Sequence, residues 1–221
     1  MEERQLHRSG DEPTRGVFPR WPAAVALLAI GALYAVLSDG LTLGPRAFLL
    51  GLVAVLLVPL MSAHLRGRHR LARWFGLGMV GIVTVAVVVS TFLLVSTALG
   101  RGTSAPALLR DAALLWAINV VTFAVWYWEV DDGGPVVRRR GGHRSEDFLF
   151  PQANVATAAA RTWHPSFVDY LFLAFNTSTA FSPTDTAVLC RRAKVLMMVQ
   201  ALLSLLILAV LVGRAINALA A

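Results

Sequence analysis

Apolar residues in this chain are gathered into long runs with few charges, separated by short polar breaks. The first run predicts a helix over about Trp21 to Ser38, stopped by Asp39-Gly40. A second covers about Ala47 to Leu65, with Pro59 inside it as a kink site. A third, rich in valine, covers about Trp74 to Leu99, and a fourth about Pro106 to Val130. Gly31 and Ala35 stand four apart on the first helix and form a small face where another helix can come close. After a polar stretch over 131–165, an aromatic-rich run from Phe167 leads to Asn176, Thr177, Ser178 and Thr179. This run is shorter than the ~20 apolar residues a bilayer crossing takes. A last helix is predicted from Pro183 to Ala218, with its span at about Val195 to Val212. The expected fold class is all-α: a polytopic membrane bundle of five transmembrane helices plus one short re-entrant or interfacial helix. The chain divides into a polar tail (1–20), a four-helix region (21–130), a polar loop (131–165) and a C-terminal pair (166–221).

Composition supports the membrane assignment. Of 221 residues, 57% are hydrophobic and 15% charged, against about 25% charged in ordinary soluble domains. The net charge of +7 comes from arginines that sit beside apolar runs. Their partners are therefore expected to be lipid head groups, not nucleic acid. With the N-terminus inside and five spans, 16 basic residues fall on the cytoplasmic side and 4 outside. That asymmetry predicts a multi-pass protein of the inner (cytoplasmic) membrane with a cytoplasmic N-terminus. The tail lacks the basic start of a cleavable signal peptide, so the first run is expected to be kept as a helix.

Two readings fit 167–185. In the first, Phe167 to about Ala180 is a re-entrant half-helix entered from the cytoplasmic side. Asn176, Thr177, Ser178 and Thr179 then face a watery path, with Asp185 at its mouth. Irregular backbone at membrane depth needs such a path or a protein partner for its polar groups. Hydroxyls and carbonyls there can replace part of a cation's hydration shell. In the second, the run is an interfacial helix, and Ser182-Pro183-Thr184-Asp185 caps the last helix as a capping box with proline at its first position. Gln200 and Ser204, four apart on the last helix, form a polar face that lines a cavity or bonds another helix. Asn119, the other amide inside a span, calls for an interhelical hydrogen bond.

The stretch from Tyr170 to Ala215 resembles the pore helix, filter and inner helix of two-transmembrane potassium channels. The filter signature is missing: Thr179-Ala180-Phe181-Ser182-Pro183-Thr184-Asp185 holds neither of its glycines. A second resemblance rests on Asp169, Tyr170, Phe175, Phe181, Ser182, Asp185, Arg191 and Arg192. On these the chain is similar to a domain-of-unknown-function family of bacterial inner-membrane proteins, which implies a fold and a location.

Other polar groups have plainer readings. Trp126, Tyr127 and Trp128 read as an interfacial aromatic belt, with Glu129, Asp131 and Asp132 solvated just beyond it. Phe148-Leu149-Phe150 implies that the second half of the polar loop touches membrane or protein. His64 and His69 read as interface residues. His143, Glu146, Asp147 and His164 share a loop but match no metal-ligand spacing. The lone Cys190 has no partner for an internal disulfide. No catalytic constellation, cofactor site or metal site is expected, and the chain is read as a non-enzyme. The functional expectation is a channel-like or transport-associated protein, acting as a homo-oligomer on a small cation. Its path is lined by Asn176 to Thr179, Asp185, Gln200 and Ser204. The alternative is a non-transporting scaffold that binds a partner through 131–165.

Overall fold

The computed structural model describes residues 20–100, 104–141, 147–154, 163–179 and 185–219. Its helices are α1 (Trp21–Ala35), α2 (Phe48–Leu65), α3 (His69–Leu99), α4 (Ala105–Val130), α5 (Pro135–Gly141), α6 (Phe167–Thr179) and α7 (Arg191–Leu219). Two-residue strands, β1 (Phe148–Leu149) and β2 (Ala187–Val188), pair antiparallel. Among the described residues, four helices are long and apolar enough to cross a membrane: α2, α3, α4 and α7. The fold is thus an all-α membrane bundle.

The least hydropathic of the four, α4, is the most enclosed. Sixty-one per cent of its span is buried, against 22% for α7. This follows from its position, since α4 packs against α1, α3, α6 and α7 together. Helix α2 closes the outer side between α1 and α3. Surfaces that face other helices can carry polar groups, provided those groups are paired. Surfaces that face lipid cannot, so α7 keeps Val195, Met198, Leu202, Leu205, Val212 and Ile216 outward.

Helix α1 has only 15 residues but lies antiparallel to α4. Arg20 at its start reaches Glu129, and Ser38 just past its end accepts from Arg110. Between those two positions α4 rises roughly 28 Å. Gly31 makes the α1–α2 crossing possible: a methyl there would stand 2.9 Å from the Leu50 Cα. Beyond α1, Ser90 of α3 donates to the Leu41 carbonyl at 2.5 Å and shares a 3.0 Å bond with the Tyr34 hydroxyl. Thr84 and Thr91 of the same helix instead bond locally, donating to the Val80 and Val87 carbonyls.

Helix α6 runs inward along α4. Phe167 and Tyr170 meet Trp128 edge to face, and two turns further Phe175 meets Trp116 in the same way. The chain is back at its starting end by β2, where Phe148 pairs with Val188 and Leu189 N–H donates to the Asp147 carbonyl at 2.9 Å. Helix α7 begins at Arg191, eight residues later than the sequence suggests. Asp185 is an exposed bend residue before β2, so it cannot serve in a helix cap. Ser182, Pro183 and Thr184 lie outside the described residues.

Candidate functional site

Two polar clusters occupy the interior. The deeper one joins α4, α6 and α7 near mid-bundle, and Gln200 is its centre. Its Nε2 donates to the Ala174 carbonyl and to Ser178 Oγ, both at 2.7 Å, while its Oε1 accepts from the Tyr127 hydroxyl. One turn on, Ser204 Oγ accepts from Asn119 Nδ2 at 2.8 Å, and the Gln200 carbonyl accepts from the same nitrogen at 3.4 Å. Asn119 and Gln200 are fully buried, and Ser178 and Ser204 nearly so. An amide with all its hydrogen bonds made is affordable at this depth; a lone one is not.

The sequence-derived candidates therefore separate. Ser178, Gln200 and Ser204 are brought together, and Asn119 finds the interhelical bond its position calls for. Thr179 turns back on its own helix, donating to the Phe175 carbonyl at 3.2 Å. Thr177 donates to the Leu173 carbonyl at 2.8 Å, and its hydroxyl also meets that of Tyr127. Asn176 is buried, and its Nδ2 has no hydrogen-bond partner among the described residues. The same holds for Asn119 Oδ1. Asp185 stands apart from this layer. Tyr127, a member that sequence reasoning placed in an interfacial belt, is fully buried. The mixed character of that belt was legible only as aromatic content. Its Trp126 is half-buried and donates to Thr84 Oγ1 at 2.8 Å.

The second cluster lies where α4 ends and α6 and α7 begin, and it is charged. Glu129 Oε2 pairs with Arg20 at 3.0 Å, with both side chains buried. Arg20 also donates to the Ala72 carbonyl at 3.1 Å. Gly76 leaves room for this pair, since a methyl there would sit 3.2 Å from the Glu129 carboxylate. Next to it, Asp131 accepts from the Tyr170 hydroxyl at 2.5 Å. Arg138 donates to the Asp131 carbonyl at 2.9 Å and lies over the rings of Trp128 and Tyr170, at 4.8 and 5.1 Å. Such stacking supplies what a desolvated guanidinium lacks.

Asp147 completes the cluster. Its carboxylate accepts two bonds from Arg192 at 2.6 and 2.7 Å, one from the Cys190 thiol at 2.5 Å and one from Asp132 N–H at 3.0 Å. Burial works against its charge, but Arg192, Cys190 and the Asp132 amide outweigh it and hold the Asp147 carboxyl below the ordinary aspartate range.

Glu129, Asp131 and Asp132 are thus not solvated. They are buried, and the start of the polar loop is folded onto the end of the bundle. Phe148 and Phe150 touch protein, packing on Tyr127 and Tyr170. His143 and Glu146 lie outside the described residues. No group of three metal-ligating side chains occurs among the described ones. No family model, curated protein or solved structure matches the chain.

Proposed function

We propose that the chain is a channel-like or transport-associated membrane protein with five spans and a re-entrant α6. The polar layer is then the shut form of its path. One observation carries this reading: Gln200 spends its whole amide on α6 and Tyr127, pinning a half-crossing helix at mid-depth. Half-crossing helices that end in buried polar groups suit gates, because irregular backbone at that depth needs protein or water around it. Asn119 Oδ1 and Asn176 Nδ2, buried at this layer, give a passing polar solute groups to exchange with. A small cation fits the amide and hydroxyl oxygens here. Counting α1 as the fifth span is supported by its contacts with both ends of α4. A homo-oligomer suits the apolar outer face of α7.

Flux into liposomes loaded with a cation-sensitive dye tests the reading. Gln200→Leu removes the pin and is expected to raise flux above that of the parent protein. Absence of flux from both proteins, each with intact helicity, overturns it and leaves the layer a structural clasp in a non-transporting scaffold.

The orientation proposed is N-terminus inside, C-terminus outside, with the charged cluster on the cytoplasmic side. The arginine asymmetry supports it. A reporter enzyme active only outside the cytoplasm, fused behind Ala221, is expected to be active. An inactive reporter on a stable fusion reverses the assignment.

A further inference from the structure

A third polar feature opens to the surface at the charged end. It is a cavity of about 190 Å³ between the starts of α1 and α3 and the turn after α4. Arg20, His69, Arg70 and Arg73 line one side. Gly133, Gly134, Pro135, Val136 and Val137 form the other. Arg20 is buried, Arg73 half-buried and Arg70 exposed, so positive charge runs from the floor to the mouth. Arg20 is paired with Glu129 and Arg138 with Asp131, so Arg70 and Arg73 are the guanidinium groups left to face the cavity. Both glycines adopt positive φ, +78° and +97°, and a methyl added at Gly133 would stand in ordinary contact with the Arg73 guanidinium, 3.5 Å away. At Gly134 a methyl would press on the Glu129 carbonyl at 3.2 Å, so the turn that faces the arginines is kept by glycine.

The mouth has a second character. Leu71 and Trp74 of α3 and Val137 of α5 are exposed apolar side chains beside the basic wall. Trp74 lies one turn beyond Arg70 on the same helix face. An exposed tryptophan at the end of a membrane helix marks the boundary between head groups and acyl chains. Charge inside and grease around the rim match an amphiphile whose anionic group points inward.

We infer that this cavity binds the phosphate of an anionic phospholipid head group. Arg70 and Arg73 donate to its oxygens, and the acyl chains lie along Leu71 and Trp74. The inference is independent of any transport activity. Planar guanidinium forks suit phosphate oxygens, and basic pockets at the ends of membrane helices hold such head groups.

Native mass spectrometry of detergent-purified protein, after exposure to vesicles of phosphatidylcholine with or without phosphatidylglycerol, tests this. The whole chain is expected to retain phosphatidylglycerol in preference to phosphatidylcholine. Arg70→Gln with Arg73→Gln is expected to lower retention roughly thirtyfold, as for two arginines lost from an anionic membrane surface. Arg66→Gln with Arg68→Gln, in the same basic turn but outside the cavity, is expected to leave it unchanged. Equal loss in both double variants overturns the site in favour of a diffuse basic surface. Absence of retained anionic lipid on the parent protein also overturns it. A separate arm titrates inorganic phosphate and follows thermal unfolding. A stabilisation that phosphate gives and the vesicle lipid does not would reassign the cavity to a free anion. Circular dichroism on each variant confirms that the bundle is intact.

Discussion

The two buried polar clusters solve the same problem by different chemistry. At mid-bundle the groups are neutral: two amides, a phenol and two serine hydroxyls, joined across α4, α6 and α7. At the end of the bundle they are ionic: Arg20 with Glu129, Arg138 with Asp131 and Arg192 with Asp147. The difference follows from the cost of desolvation. A neutral amide can be carried deep if its hydrogen bonds are made, but a charge there costs several kcal/mol even when paired. The ionic cluster sits where Arg192 still reaches solvent, and its guanidinium is about half exposed. Among the described residues, both layers leave a few buried atoms unbonded: Asn119 Oδ1 and Asn176 Nδ2 at mid-bundle, Arg20 Nε and Trp128 Nε1 at its end. What differs is the kind of group, since at the end of the bundle every carboxylate has a cationic or hydrogen-bonding partner.

Mutations can break this contrast in order of cost. Glu129→Ala should be the most damaging, because it strands Arg20 as a buried cation; removing one partner of such a pair costs about 3–5 kcal/mol. Denaturation in mixed micelles should show it, and a loss below ~1 kcal/mol would mean that water reaches the pair. Gln200→Leu comes next. It removes three hydrogen bonds, each worth about 0.6 kcal/mol in a membrane interior, and takes a partner from Tyr127 and Ser178, so a loss of ~2 kcal/mol is expected. Thr179→Val is its control. That hydroxyl bonds only its own helix, so the same assay should move by less than ~0.5 kcal/mol.

The smallest effect is the pH response of Asp147. Its carboxyl is depressed in the folded chain. The stability it contributes is therefore present above the ordinary aspartate pKa and is lost as pH falls through the lowered folded value. Because Arg192 is half exposed, screening keeps the contribution modest. Acid titration of unfolding should show the loss below about pH 4. Asp147→Asn should flatten that limb of the curve, and an unchanged limb would assign it to another carboxylate.

The two clusters were unequally legible in the sequence. Asn119, Gln200 and Ser204 stand out because an amide inside an apolar run has few uses besides pairing. Which partners they meet, Ser178 and Tyr127 among them, was not legible, because that depends on how α6 and α7 pack on α4. The ionic cluster was hidden. Glu129 lies 109 positions from Arg20, and Asp147 lies 45 from Arg192. Beside a loop, such residues look solvated until the fold brings their partners in. The start of α7 was obscured for another reason. Ser182-x-x-Asp185 obeys local capping logic, yet pairing of Ala187–Val188 with Phe148–Leu149 keeps the backbone extended until Arg191. A tertiary strand contact overrode a local signal. The membrane helices, whose apolar runs are set by their own length, were read nearly in place.

The dependence of α6 on partners that come later bears on how the chain is made. At 13 residues it is too short to be accepted by the bilayer as a span. Its flank already has a surface to rest on, since Phe167, Tyr170 and Phe175 meet Trp128 and Trp116 of the earlier α4. The bonds from Gln200 to Ala174 and Ser178 at its tip arrive only with the final helix. Docking of α6 is therefore divided in time, with an aromatic seam available first and a polar pin added last, and truncation ahead of Gln200 would remove the pin and spare the seam.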